Sequence, residues 1–505
     1  MFLHRIQNLK RYYIQFWVIY LGIMLVSTFL SELPVFAMAL KPLYFLFIIV
    51  GIVLFIYRQY ISRRMEARSA HQTMSNSKLL YLFLVINLIS VALNYNYNTS
   101  KNLMSLAYMF IIITLVYDFD YFKEKELIGE SLYKIAYLIV SMSLICSILS
   151  LLTFVFGISY KDPSGYTIGI DTSNKRLWGI YNPNAGSMLS IISIALSLLL
   201  IHKTNRKKIK TLCIINISSQ YLYFILAQSR TNILAFSAFL IIVVSALIFN
   251  RLSDFELIYE SRSKFKKFTF AIILAFAINV AFLGVSQALR YRLNYIPSMT
   301  RNINLEDNEE YHEKDMRFYI EDSNLKNFDI KRSHTKDSEK DFSGRKDYWL
   351  LVSEEVEEKP LFGYSHEGIL TEVISGVEGA HKSYVTYGDV HNIFFTILGS
   401  AGSLGLLVYL LFLIRQNVQI LDYIANDVHD NNRFDLSLVI VYALVAAIYI
   451  AELMESRTFY SLNFYALIAW LNTGILESKT KAAAVKANEL SYEEKRKAYA
   501  AYYYY

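Results

Sequence analysis

Residues 389–414 read DVHNIFFTILGSAGSLGLLVYLLFLI, a short polar start followed by an apolar run. A helix needs about 20 apolar residues to cross the roughly 30 Å hydrocarbon core of a bilayer, so this run is long enough to span a membrane. It closes a charged interval, from about Leu289 to Val390, inside a chain that is otherwise strongly hydrophobic. An insert of this size between two membrane helices must fold on one side of the bilayer.

The remainder of the 505-residue chain predicts the fold class, because 54% of the residues are hydrophobic and the mean hydropathy is +0.31. Apolar runs of membrane-spanning length recur from Tyr12 to Leu476. We predict an all-α polytopic membrane bundle of about twelve transmembrane helices, with the large loop between helices 9 and 10. The predicted spans are 12–30, 37–57, 79–96, 102–118, 132–156, 183–201, 211–228, 232–249, 268–287, 392–414, 436–453 and 458–476.

These spans divide the chain into four predicted parts. Residues 1–287 hold helices 1–9, residues 288–391 form the extracytoplasmic loop domain, residues 392–476 hold helices 10–12, and residues 477–505 form a cytoplasmic tail. The first apolar run lacks an Ala-x-Ala-like cleavage site, so it is interpreted as a retained helix and not as a signal peptide. Cys146 and Cys213 lie inside apolar runs, which favours packing roles over a disulfide framework or a metal cluster.

Lysine and arginine collect in alternate connections, which sets the predicted orientation. The positive-inside rule places these basic loops and both termini in the cytoplasm, and it places the insert outside. Loops longer than about 60 residues translocate largely regardless of their charge, so the charged insert does not conflict with this topology. The expected location is the cytoplasmic (inner) membrane. Nucleic-acid binding is excluded, because the basic clusters lie in short loops between spans.

The insert divides into two halves. From Thr300 to Lys340 it is polar and poor in aliphatic residues, which predicts a loosely packed flap. From Ser343 the apolar residues recur at helical spacing, and Pro360 and Gly363 end the predicted helix. Tyr348, Leu351, Val352 and Val356 form the apolar face of this helix, beside Trp349.

Two arginines lie at predicted outer ends of helices. Arg230 is in the tight turn Gln228–Thr231, and Arg176 comes shortly before span 6. Spans 6, 8 and 10 all run from outside to inside, so their positive N-terminal ends face outward, and Pro183 and Thr231 suit helix starts. Arginines beside free N–H groups can bind phosphate oxygens. The alternative is that each arginine extends to the lipid headgroups.

His391 lies at the start of span 10, again at an N-terminal end. A positive helix end disfavours the imidazolium form, so the neutral ring could accept a proton. The alternative is an interfacial histidine that is hydrogen-bonded to the loop. His366 and His381 lie in less structured sequence and rank lower.

Other polar and small residues favour structural roles. Asp118-Phe-Asp120 resembles a metal-binding motif, but the topology places it at a cytoplasmic helix end, which favours solvated side chains. No Cys/His spacing predicts zinc. Gly399, Gly402 and Gly405 in span 10 predict a close-packing face.

Four segments together resemble a known family. They are Arg176…Gly179…Asn182-Pro-Asn184, then Gln228-Ser-Arg-Thr231, then Gly344-Arg345…Trp349…Lys-Pro-Leu-Phe-Gly363, and last His391-Asn392…Gly402…Gly405. Their order, spacing and common side resemble the O-antigen ligase/O-antigen polymerase (Wzy-type) superfamily, from about Asp171 to Leu413. One departure is Gly363-Tyr-Ser365, where the family often has a second glycine.

The resemblance implies a membrane glycosyltransferase of the GT-C type that needs no metal or other cofactor. Arg176, Arg230 and Arg345 would bind the substrate diphosphate, and His391 would position or deprotonate the acceptor hydroxyl. Asn184, Ser229, Thr231 and Asn392 would support them. The implied partners are a glycan donor and acceptor on undecaprenyl diphosphate and membrane lipids, with a chain-length regulator and a flippase as further candidates.

The function predicted from this resemblance is polymerisation of lipid-linked repeat units into O-antigen, capsule or exopolysaccharide. A ligase, which transfers the finished glycan to a final acceptor, uses the same chemistry and remains an alternative. A flippase or other transporter of lipid-linked oligosaccharide is the second alternative. It is less favoured, because the chain shows neither an internal repeat nor charges through the middle of its spans.

Overall fold

The computed structural model of the protein describes residues 2–65, 76–121, 124–161, 166–171, 176–256, 264–293, 296, 345–376 and 390–503. The predicted flap at 300–340, His381 and Gly344 lie outside these residues. The elements are α1 (Phe2–Ser31), α2 (Pro34–Met65), α3 (Ser77–Leu93), α4 (Thr99–Ile111) continued by a π-helical segment (Ile112–Tyr117), α5 (Lys125–Val155), β1 (Ser159–Lys161), β2 (Thr167–Asp171), β3 (Arg176–Gly179), α6 (Pro183–Lys203), α7 (Lys207–Ala227), α8 (Arg230–Glu256), α9 (Lys264–Leu293), α10 (Arg345–Glu358), α11 (His366–Gly376), α12 (Ile393–Asn431), α13 (Leu436–Ala451) and α14 (Phe464–Tyr503).

The predicted fold class is confirmed, because a helix coincides with each of the twelve predicted spans. Within the described residues, nine helices are long and apolar enough to cross a membrane, and α3 and α13 are shorter apolar helices. α14 supplies the last predicted span and continues without a break to Tyr503. Large apolar side chains on the faces of α2 and α9, such as Val53, Ile273 and Phe276, are exposed on the protein surface. That arrangement suits helices that face lipid.

Aromatic side chains form much of the buried core. Trp17 stacks on Phe119, with ring centroids 3.8 Å apart, and donates from Nε1 to the Leu115 carbonyl at 2.8 Å. Trp470 donates to the Thr458 carbonyl at 2.9 Å. These bonds satisfy the indole N–H groups, which would otherwise be costly to bury. The Trp17 bond joins α1 to the π-helical segment, and the Trp470 bond joins α14 to the connection before it.

The described residues between α5 and α6 contain a small antiparallel sheet in the order β1-β2-β3. The sequence predicted only a long connection here. The sheet is anchored on the bundle through Gly179, which has a φ of +71° and no room for a Cβ against Ser150. The Tyr223 hydroxyl also donates to the Trp178 carbonyl at 2.9 Å. The strands therefore hold the chain before α6 in a fixed position.

The second half of the insert forms the predicted amphipathic helix, α10. Tyr348, Val352 and Val356 are its buried face, as their spacing predicts. Trp349 stacks on Phe395 of α12 with ring centroids 5.5 Å apart, so α10 lies on the bundle.

The turn after α10 docks into a break in α12. Gly402, inside α12, has a non-helical φ of 67° and ψ of −170°. At the break, the Tyr364 N–H donates to the Gly399 carbonyl at 2.8 Å, and the Ser403 N–H donates to the Pro360 carbonyl at 2.8 Å. The turn thus satisfies backbone groups that the break exposes. The predicted close packing at Gly399 and Gly402 is therefore against the backbone of the insert.

Ser365 has a backbone conformation that is more usual for glycine, the residue that the family often has in this turn. Its φ is +65°, the left-handed region that favours glycine. The Ser365 hydroxyl accepts a hydrogen bond from Asn102 Nδ2 at 3.0 Å, and its N–H donates to the Ser400 carbonyl at 3.0 Å. These bonds offset the backbone strain and hold the turn although residue 365 is a serine.

The two ends of the bundle differ in chemistry. We call the end that holds residues 452–463 the Glu455 end, and the end that holds residues 118–121 and 477–481 the opposite end. At the opposite end the Asp118 carboxylate lies 3.4 Å from Arg58 Nη2, and it accepts hydrogen bonds from the Ser77 hydroxyl and from the Tyr81 hydroxyl, the latter at 3.0 Å. The interpretation of Asp118 as a solvated helix end is thus wrong in part, because its carboxylate joins three helices.

Replacing Gly402 by alanine should destabilise the protein. An added Cβ would overlap the Leu361 carbonyl, and the positive φ adds strain, so we expect a loss of about 1–3 kcal/mol. Thermal unfolding of the purified protein measures it. Gly284→Ala is the matched control, because nothing lies within 4 Å of a Cβ there. Equal melting temperatures for the two variants would contradict the docked break.

Candidate active site

Glu455 is the centre of the polar cluster at its end of the bundle. It lies in the connection between α13 and α14 and is 8% exposed. Its Oε1 accepts hydrogen bonds from Asn184 Nδ2 at 3.0 Å and from Arg345 Nη2 at 3.3 Å. On the other oxygen, Arg457 Nε is 3.6 Å away and His391 Nδ1 is 3.9 Å away. One buried carboxylate therefore gathers side chains from four separate segments of the chain.

The charge of Glu455 is maintained by these neighbours. Burial alone would raise the pKa of Glu455, but the contact with His391 and the charges of Arg457 and Arg345 outweigh burial and lower the pKa to about 2. A buried carboxylate is costly unless it is paired and hydrogen-bonded, and here it is both. Glu455 is thus an anion around which the cationic groups are arranged.

Glu452 fixes the backbone of the same connection. Its buried carboxylate accepts from the Arg457 N–H at 3.1 Å and from the Thr458 hydroxyl at 2.9 Å. Its own carbonyl accepts from the Ile393 N–H at 3.0 Å. Asn392 donates to the Leu453 carbonyl at 2.9 Å. The start of α12 and the connection before α14 are therefore one hydrogen-bonded unit.

His391 is held in an unusual backbone conformation directly before α12. Its φ is +58°, which is strained for a residue with a Cβ. Asn392 caps the helix, because its side chain accepts from the Phe394 N–H at 2.8 Å. Trp349 donates to the Val390 carbonyl at 3.1 Å on the other side. With Nδ1 directed at Glu455, the ring presents Nε2 away from the carboxylate.

The N-terminal ends of α6 and α8 meet beside this cluster. Pro183 occupies the first turn of α6, as predicted, and Asn182, for which no such role was predicted, caps the helix. α8 begins at Arg230, and the Ser229 carbonyl accepts the first helical bond from Ile233 at 2.9 Å. Ser229, and not Thr231, is therefore the residue that precedes the helix.

Asn232 connects these two helix starts. Its Nδ2 donates to the Asn184 carbonyl at 2.7 Å and lies 3.0 Å from Ser229 Oγ. Asn184 in turn donates from Nδ2 to Glu455. The start of α8 is therefore linked to the carboxylate through Asn232 and Asn184.

The remaining predicted arginines take different positions. Arg230 is exposed on the first turn of α8. Arg176 starts β3, opposite Asp171, and its guanidinium lies 5.7 Å from the centre of the Trp178 ring. Arg345, which the sequence grouped with them, is instead ion-paired with Glu455.

The sequence reasoning missed the acidic and basic residues of the last connection. Glu455-Ser-Arg457 lies in the short connection between the last two predicted spans, and its two charges between two apolar runs were a usable signal. Glu32 was also missed. It lies between α1 and α2, and burial raises the pKa of its carboxyl although the Arg457 charge and a bond with Tyr465 oppose the shift. Across the described residues, no three His, Cys, Asp or Glu side chains are placed to hold a metal ion.

Comparison with known proteins gives a match to a family model. Residues 215–410 match the family model described as O-antigen ligase, about two fifths of the chain. This match is consistent with the O-antigen ligase/polymerase superfamily. Arg230, Arg345 and His391 lie inside this O-antigen ligase domain, whereas Arg176, Asn184 and Glu455 lie outside it. No curated protein matches the chain. The family indicates a membrane enzyme of glycosyl transfer that uses lipid-linked glycans.

Acid should remove the stabilising effect of Glu455. Because its pKa is lowered from 4.5 to about 2, its contribution is complete above pH 4.5 and is lost as the pH falls through about 2. The melting temperatures of wild type and Glu455→Gln should therefore differ most near neutral pH and converge below pH 4.5. Glu126→Gln, an exposed carboxylate on α5, is the control. A difference that is constant across this range would contradict the ionised cluster.

Proposed function

We propose that this protein polymerises oligosaccharide repeat units carried on undecaprenyl diphosphate, by glycosyl transfer at the Glu455 end of the bundle. The observation that supports this most is the convergence at Glu455. Asn184, Arg345 and His391, which separate motifs had singled out, all lie within 4 Å of this one carboxylate. Groups that could hold a diphosphate and a group that could accept a proton are thus neighbours.

The donor diphosphate would be bound by arginines and helix N-termini. Arg230 on the first turn of α8 and Arg176 on β3 would offer guanidinium groups, and the start of α6 would add backbone N–H groups. Positive groups fixed beside the leaving diphosphate stabilise the negative charge that builds there in the transition state. Arg345, with its fixed place near His391, would bind the phosphate closest to the reacting sugar.

His391 would act as general base. The acceptor hydroxyl loses its proton to Nε2, its oxygen bonds to the anomeric carbon of the donor sugar, and the bond from that carbon to the diphosphate oxygen breaks. The products are a longer glycan and undecaprenyl diphosphate. Glu455 faces the opposite ring nitrogen, so it would orient the imidazole and stabilise the positive charge it gains. Ser229, Thr231 and Asn392 would hold the helix starts in place.

We further propose a location in the cytoplasmic membrane with both termini inside and the Glu455 end outside. Basic residues that the sequence assigned to the cytoplasm lie at the opposite end, where Lys10 pairs with Glu124 and Lys479 with Asp435. This grouping supports the predicted topology, since positive residues collect in cytoplasmic loops.

Ligation of a finished glycan to a final acceptor is the second candidate, because the matching family model is described as O-antigen ligase. The two reactions share the donor and the base, and they differ in the acceptor. Vesicles that contain the pure protein and lipid-linked repeat units separate them. Chain growth on these units alone indicates a polymerase, whereas growth only after a second acceptor is added indicates a ligase. Lipid movement without new bonds would indicate a flippase.

Replacing His391 by alanine should leave folded protein with little product. A general base contributes about 10²–10⁴-fold in rate, so glycosidic bond formation should fall by that factor. The assay is product length after reaction with lipid-linked repeat units. His429→Ala is the matched control, because His429 is exposed at the far end of α12. If the His391 variant made polymer of wild-type length, His391 would be excluded as the base.

Replacing Arg230 by lysine should raise the KM for the lipid-linked donor. Lysine keeps the charge, but it loses the planar pair of donors that matches two phosphate oxygens. Arg251→Lys, near the other end of the same helix, should behave as wild type. An unchanged KM in the Arg230 variant would argue against a bidentate diphosphate contact.

A further inference from the structure

We propose that Arg457, which lies outside the matched domain and outside every motif of the sequence, is an additional diphosphate-binding residue of this site. The inference rests on the proposed function, because the same lipid diphosphate is the ligand. It assigns to the connection before α14 a direct role in holding the donor.

The backbone of Arg457 is fixed to an unusual degree. Its N–H donates to both oxygens of the buried Glu452 carboxylate, each at 3.1 Å, and its carbonyl accepts from Asn463 Nδ2 at 2.6 Å. The guanidinium carbon lies 5.3 Å from the centre of the Tyr465 ring. A flexible surface arginine would need none of these restraints. A pre-positioned one loses little conformational entropy when it binds an anion.

The guanidinium lies beside the groups that the reaction needs. Its Nε is 3.6 Å from Glu455 Oε2, the same oxygen that His391 approaches at 3.9 Å. The Arg457 side chain is 29% exposed, whereas the Arg345 side chain on the other oxygen is 18% exposed. A phosphate beside His391 would therefore find Arg457 accessible.

The guanidinium of Arg457 has a geometry that suits phosphate. Its planar fork of N–H donors matches two oxygens of one phosphate in a bidentate contact. Arg457 and Arg345 share the Glu455 carboxylate. The carboxylates of Glu452 and Glu32 also lie beside Arg457. It is therefore the position and shape of the guanidinium, and not the net charge of the cluster, that support the assignment.

Binding of undecaprenyl diphosphate to the purified full-length protein is the test. A charge-assisted contact is worth about one to two factors of ten, so Arg457→Gln should weaken binding about 10- to 100-fold. Arg457→Gln should weaken the binding of undecaprenyl monophosphate less, because that lipid carries less negative charge. Arg433→Gln is the matched control, because Arg433 is an exposed arginine paired with Asp254 at the opposite end. Binding by Arg457→Gln that equals wild type would overturn the assignment.

A second comparison separates direct contact from support of Glu455. If Arg457 binds the phosphate, Arg457→Gln should weaken binding in a Glu455→Gln background as well. If Arg457 acts only by holding Glu455, Arg457→Gln should not weaken binding any further in the Glu455→Gln background, and the proposal is then wrong. Should the glutamine variant not fold, Arg457→Lys must still weaken binding several-fold, and wild-type affinity in that variant also refutes the proposal.

Failure of this inference is distinct from failure of the proposed function. Weaker diphosphate binding by Arg457→Gln, together with a wild type that forms no glycosidic bonds, would keep the binding residue and reject the reaction. If the wild type forms new glycosidic bonds but Arg457→Gln binds the diphosphate as the wild type does, the reaction is kept and the binding role of Arg457 is rejected.

Discussion

The pairing of one buried carboxylate is the constraint on which the site depends. Glu455 is almost fully buried, and an ion in that position is tolerated only with opposite charges and hydrogen bonds around it. The chain supplies them from the start of α6, from α10, from the residue before α12 and from Arg457. Removing the carboxylate would take away the anion that Arg345 and Arg457 share. The bundle therefore has to bring those four segments together in one arrangement.

The break in α12 provides the point at which the insert is attached to the bundle. A long loop outside a membrane bundle needs a fixed attachment if α10 is to present Arg345 to the site. At Gly402 the helix leaves backbone groups unpaired, and the turn after α10 pairs with them. The attachment is made by backbone, so it leaves side chains such as Trp349 available to pack on α12. The insert and α12 thus act together in positioning the site.

The sequence predicted the twelve helical spans and the amphipathic α10, because membrane length and helical spacing are local properties. The resemblance to a known family, and not a contact pattern, placed Asn184, Arg345 and His391 in one predicted site. The sequence could not identify Glu455 or Arg457, since their importance arises from contacts with residues that are far away in sequence. The small sheet before α6 was missed because its strands are three to five residues long. Such strands give little periodic signal.

A structure of the protein with bound undecaprenyl diphosphate would show whether the lipid diphosphate lies at the Glu455 cluster. Phosphate density is expected within hydrogen-bonding distance of Arg345 and Arg457, close to Nε2 of His391. Density for the diphosphate at the opposite end of the bundle, near Asp118 and Lys479, would contradict this location.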